Sequence, residues 1–86
     1  MPEICRFYGI VIRMYFADHP PPHFHASYGD HTAQIEIATM RVLAGSLPPR
    51  ALGLVMEWAA VRRADLNRAW TQACAPCPID PIEPLR

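Results

Sequence analysis

Three consecutive prolines, Pro20-Pro21-Pro22, constrain this chain more than any other feature. Each ring fixes φ and removes a backbone donor, so neither a helix nor a central strand can run through them. Regular structure must stop before Pro20 and begin again after Pro22, and the intervening path is extended and polyproline-like. The flanks are written in period two. In the run 9–16, Ile10, Ile12, Met14 and Phe16 share one face, while Val11, Arg13 and Tyr15 share the other. After the prolines, Phe24, Ala26 and Tyr28 alternate with His23, His25 and Ser27. Gly29-Asp30 is a turn signal that makes a hairpin with 31–37, where Ala33, Ile35 and Ile37 face inward and Thr32, Gln34 and Glu36 outward. Thr39 to Ala44 adds a short fourth strand ending at Gly45. Short connections between successive strands predict an antiparallel meander.

The period changes after Ser46-Leu47-Pro48-Pro49, with Ser46 as the expected cap and the prolines in the first helical turn. Leu52, Val55, Met56, Ala59 and Ala60 form one apolar stripe, and Leu54, Trp58 and Val61 extend it onto a neighbouring face. One sheet does not obviously cover so wide an apolar surface, so Trp58 is the expected contact for a partner or a second copy. The pattern resumes at Asp65, Leu66, Ala69, Trp70 and Ala73, with a break expected near 62–64 and Asp65 in the first turn of a second helix. The fold class is therefore α+β. An antiparallel meander of three to four strands carries one or two C-terminal helices on one face. Residues 1–75 form a single domain, and 76–86 are a proline-rich extended tail.

The 86 residues fit one domain, and eight basic residues balance eight acidic ones. Nucleic-acid binding through bulk charge usually needs a basic surplus, so only local patches such as Arg62-Arg63 with Arg68 remain for that purpose. No apolar run approaches the length of a membrane span, and Met1-Pro2-Glu3-Ile4-Cys5 does not read as a secretory leader, so no membrane role and a cytoplasmic location are expected. Three cysteines do not make a disulfide framework. Cys74-Ala75-Pro76-Cys77 follows a helix instead of opening one, which is the wrong end for a low-pKa redox thiol.

Chemistry concentrates around the prolines. Histidine both ligates metals and moves protons near neutral pH. His23 and His25 are two apart in a strand and point the same way, and Asp18 and His19 lie across the proline bridge. Asp18 with two or three of the histidines would make a zinc set, although the spacing matches no standard metal motif. Alternation also places Arg13, Tyr15, His23, His25, Ser27, Thr32, Gln34 and Glu36 on one sheet face. The candidate catalytic residues are His23, His25, Arg13 and Glu36: histidine and glutamate for acid–base work, and arginine for a developing negative charge. Candidate binding residues are Asp18, His19, Tyr15 and Trp58. An ordinary solvated face is the plain alternative. No cofactor and no assigned metal ligand are expected.

Several segments carry a family resemblance. These are Arg6-Phe7-Tyr8-Gly9-Ile10, Ile12-Arg13-Met14-Tyr15-Phe16, Asp18-His19 followed by Pro21-Pro22-His23-Phe24-His25, Tyr28-Gly29, Ile35-Glu36-Ile37, Arg50-Ala51-Leu52, Glu57-Trp58 and Trp70. Together they resemble the bacterial family called domain of unknown function 4160 over essentially the whole chain. The resemblance implies a short stand-alone protein, found beside another small gene in an arrangement similar to toxin–antitoxin pairs. It assigns no catalytic residue. Pro20 and the Cys74–Cys77 pair depart from the family pattern. Three functional expectations follow. The first is an accessory or toxin–antitoxin-like module that binds a small protein or its own copy, with RNA as a further candidate partner. The second is a metal-independent RNase using His23 or His25 with Glu36 and Arg13. The third is a metal-binding protein.

Overall fold

The computed structural model describes residues 3–75 and 77–85. Its element order is β1 (Glu3–Phe7), β2 (Ile10–Arg13), β3 (His23–Tyr28), β4 (His31–Glu36), β5 (Val42–Gly45), α1 (Pro49–Val61) and α2 (Arg63–Cys74). The strands form one antiparallel sheet in the order β1-β2-β3-β4-β5. This is the expected α+β meander, with five strands instead of three or four. The additional strand is β1. It pairs with β2 through a turn in which Tyr8 and Gly9 both adopt positive φ, the backbone that a two-residue hairpin requires.

The alternation read from the sequence sets the two faces. Ile10, Ile12 and Met14 are fully buried with Phe24, Ala26, Ala33, Ile35 and Ile37 beneath the helices. Two positions depart from it. Phe16 is exposed, because β2 ends at Arg13 and the backbone turns through positive φ at Ala17. Tyr28 at the hairpin end is exposed as well. The Pro20–Pro21 peptide bond is cis, where three prolines suggested an unbroken polyproline path.

In α1 the buried residues are Ala51, Val55, Trp58 and Ala59, a stripe rotated from the expected one so that Trp58 enters the core. The indole packs against Phe7 at 5.4 Å and Phe24 at 5.9 Å, and its Nε1–H donates to the Glu83 carbonyl at 2.7 Å. Turning this face inward buries the helix's largest apolar side chain and still satisfies its one polar atom. The expected partner contact at Trp58 is thereby replaced by an internal one. Ser46 does not cap α1: Pro48 is the N-cap and no side-chain bond is made there. Pro49 opens the helix, where a missing N–H costs nothing. The break falls at Arg62, and Asp65 sits in the first turn of α2. Residues 77–85 have no regular structure, yet Ile82 is buried and its N–H bonds to the Ile4 carbonyl at 2.8 Å.

Candidate functional site

The loop between β2 and β3 is tied down at both ends. The Ala17 N–H donates to the Ala73 carbonyl at the end of α2, and the Ile37 N–H donates to the Pro22 carbonyl. These two bonds set the path of the intervening chain. At its start, Asp18 Oδ1 accepts the His19 N–H at 2.8 Å, which turns the other carboxylate oxygen toward β3. The first and third residues of β3 are His23 and His25, which share a face by alternation.

Both rings aim Nε2 at the same oxygen. Asp18 Oδ2 lies 3.0 Å from His23 Nε2 and 3.3 Å from His25 Nε2. The three ligand atoms all lie within 4.8 Å of one another. The side chains of His23, His25 and Asp18 retain only 7, 13 and 21% of their exposure, so the cluster is nearly dry. Trp70 of α2 packs on the His23 ring at 5.4 Å, and Tyr15 meets His25 edge-on at 4.4 Å. His23 Nδ1 lies 2.7 Å from the Pro21 carbonyl oxygen. A carbonyl only accepts, so Nδ1 carries the proton. In the neutral ring, His23 Nε2 therefore presents a lone pair to a carboxylate oxygen at hydrogen-bonding distance.

The electrostatics favour an ionised Asp18 carboxylate and disfavour a charged His25. Burial works to raise the Asp18 carboxyl, but the His19 N–H, the His25 hydrogen bond and the two nearby imidazoles together hold it below the usual carboxylate value. Burial pushes His25 below the usual histidine value, and the neighbouring His23 adds to this, while Asp18 opposes both.

The remaining candidates are placed differently. His19 is exposed and contributes only its backbone N–H. Glu36 stands across from His23 in the β3–β4 register, but its carboxylate accepts the Thr39 hydroxyl at 2.8 Å beside the β4–β5 turn. Arg13 pairs with His25 in register, and among the described residues its guanidinium makes a single long bond of 3.4 Å to the Ser27 hydroxyl. Trp70 is the neighbour that residue patterns missed. Its helical spacing marked it as apolar surface, with no signal that it would cover His23.

A model of the family described as Domain of unknown function (DUF4160) matches residues 9–71. The chain belongs to this family. No curated protein and no solved structure matches it. The matched segment of this DUF4160 protein runs from the start of β2 into α2 and contains Asp18, His23, His25, Arg13 and Trp70, whereas Cys74 and Cys77 lie outside it. No helix among the described residues is long and apolar enough to cross a membrane.

A second surface feature lies away from the histidines. Tyr8, Tyr28, Leu54 and Leu85, with Arg50 and Glu57, line an open groove of about 630 Å³. The exposed apolar surface expected at Trp58 is found here instead.

Proposed function

We propose that this protein binds a divalent first-row metal ion through Asp18, His23 and His25. The observation that carries the reading is the convergence of three ligand atoms, with Asp18 Oδ2 at 3.0 Å from His23 Nε2 and 3.3 Å from His25 Nε2, and all three within 4.8 Å of one another. The His23 Nδ1–H is held by the Pro21 carbonyl, so in the neutral ring its Nε2 lone pair and that of Asp18 Oδ2 converge at 3.0 Å. A proton or a metal ion between them removes the repulsion, and a metal ion uses the second imidazole, 3.3 Å from the same oxygen, as well. A backbone carbonyl on the far ring nitrogen is the usual way of orienting a metal-ligating histidine. Tetrahedral zinc with bonds near 2.1 Å places its ligand atoms roughly 3.4 Å apart, close to the two carboxylate–imidazole separations of 3.0 and 3.3 Å. Two imidazoles and a carboxylate suit Zn²⁺, Fe²⁺ or Ni²⁺ better than Ca²⁺ or Mg²⁺. Three protein ligands leave a coordination position open, the pattern of catalytic and not of structural sites.

The test is calorimetric titration of untagged, chelator-treated protein with Zn²⁺. One ion per chain is expected, with affinity reduced at least tenfold in Asp18→Asn and His23→Gln and unchanged in His19→Ala. Absence of stoichiometric binding, or equal binding by the Asp18 and His23 variants, would remove the reading.

The protein-binding reading has one specific support, the groove flanked by the exposed Tyr8 and Tyr28. If a second copy fills it, sedimentation will show a concentration-dependent dimer that Leu54→Asp abolishes. A wild-type chain that is monomeric at all concentrations would rule out self-association.

A further inference from the structure

Resting on the metal reading above, we propose that the open position of the Asp18–His23–His25 centre takes a phosphoryl oxygen, and that Arg13 binds the remaining oxygens of the same phosphate group. His25 carries the centre onto the sheet face, and its register neighbours there are Arg13 on β2 and Gln34 on β4. Directly paired residues of an antiparallel sheet lie about 4.5–5.5 Å apart at Cα and project to the same side. The backbone of Arg13 is thus one strand away from a metal ligand, and its guanidinium lies beside Ser27, the next residue of the same face along β3.

Arg13 is also underused. It is half-buried, it makes no ion pair among the described residues, and its single side-chain bond, to Ser27, is long. Glu3 faces it from β1, but both Glu3 oxygens are engaged by Arg6, at 2.8 and 3.1 Å. Glu36, the other carboxylate of this face, stands across from His23 and is bonded to Thr39. A guanidinium has five N–H donors in a planar fork, so most of this one's capacity is unspent.

A divalent ion and Arg13 outweigh Asp18 and Glu36, with Glu3 offset by Arg6, so the centre carries surplus positive charge, and Ser27, Thr32 and Gln34 add only neutral polar groups. The complementary ligand is an oxyanion. A phosphoryl group has enough oxygens to give one to the metal and two to the guanidinium fork. A carboxylate has two oxygens and can satisfy only one of these partners fully.

The experiment uses Co²⁺ as the metal, because its visible bands report the coordination sphere. The Co²⁺-loaded full chain is titrated with phenyl phosphate, a dinucleotide phosphodiester and acetate. A saturable band shift is expected with phenyl phosphate, the dinucleotide or both, at concentrations at least tenfold below those at which acetate acts. Which of the two acts distinguishes a monoester site from a diester site. Arg13→Gln should weaken the phosphate response at least tenfold and leave Co²⁺ affinity within twofold of wild type. Cobalt bands that ignore both phosphates, that respond equally to acetate, or that respond unchanged in Arg13→Gln would overturn this inference alone. Failure of Co²⁺ to bind would overturn the metal reading and this inference with it.

Discussion

His23 shows how much one side chain can encode when both of its nitrogens are constrained. The Pro21 carbonyl holds Nδ1–H, Trp70 covers the ring, and Nε2 meets the Asp18 carboxylate. Metal affinity should fall as pH drops through the histidine range, because protons compete for Nε2 of both ligands. Calorimetric titrations at pH 8, 7 and 6 would show weaker binding at each step; affinity independent of pH would contradict histidine ligation. The metal-free chain has its own pH dependence. His25 has a depressed folded-state pKa, so the unfolded chain takes up that proton first as pH falls. Its contribution is fully present above the unfolded value of about 6.5 and is lost as pH falls from there through the lower folded value. Asp18 is depressed as well, so its contribution is present above the ordinary carboxylate value and is lost as pH falls through its folded value. Urea midpoints should therefore drop in two steps on acidification, and His25→Gln should remove the upper one.

At the scale of elements, period two was readable wherever a strand lies between polar and apolar layers. The faces of β3 and β4 follow from residues 23–28 and 31–36, with Tyr28 at the hairpin end as the exception. β1 was not expected, because a bulge between Glu3 and Cys5 interrupts its pairing and both Ile4 and Cys5 turn inward. The apolar stripe of α1 is ambiguous in the sequence for a different reason. Helical spacing alone allowed either of two adjacent faces, and packing against Phe7 and Phe24 selected the one with Trp58. The end of β5 carries a requirement that the sequence marked only as a terminus. Gly45 has φ of +74, and a Cβ there would overlap the Thr32 carbonyl. Gly45→Ala should therefore destabilise the fold by about 2–4 kcal/mol, combining left-handed strain with displacement of β4 backbone. The mutant's urea midpoint measures this, and a loss below about 0.5 kcal/mol would refute the close approach.

At the scale of the whole molecule, the tail belongs to the domain. Ile82 is buried and hydrogen-bonded to β1, Glu83 receives the Trp58 indole, and Gln72 holds Asp80 through both side-chain and backbone bonds. Residues 76–86 read as a separate extended tail because four prolines forbid regular structure; prolines do not forbid docking. Ile82→Ala should lower stability by about 2–4 kcal/mol, the range for a large aliphatic side chain removed from a filled site. Metal binding should act in the opposite direction, since an ion that binds only the folded chain raises its thermal midpoint with concentration. Calorimetric scans with and without Zn²⁺ would show the upward shift in wild type and its loss in His23→Gln.

The sequence by itself determined the α+β class, the two faces of the central strands, the interruption at the prolines and the shared direction of His23 and His25. All of these follow from local rules of period, ring closure and turn chemistry, which act over a few residues. Only the tertiary structure decided that Asp18, and not Glu36, meets the two imidazoles. Alternation places Glu36 on the same face, but sharing a face does not fix a distance. Asp18 reaches the rings because the Ala17–Ala73 and Ile37–Pro22 bonds, made to distant parts of the chain, set the path of its loop. The same long-range packing brought Trp70 over His23 and took Trp58 out of solvent, and no local pattern carries that information.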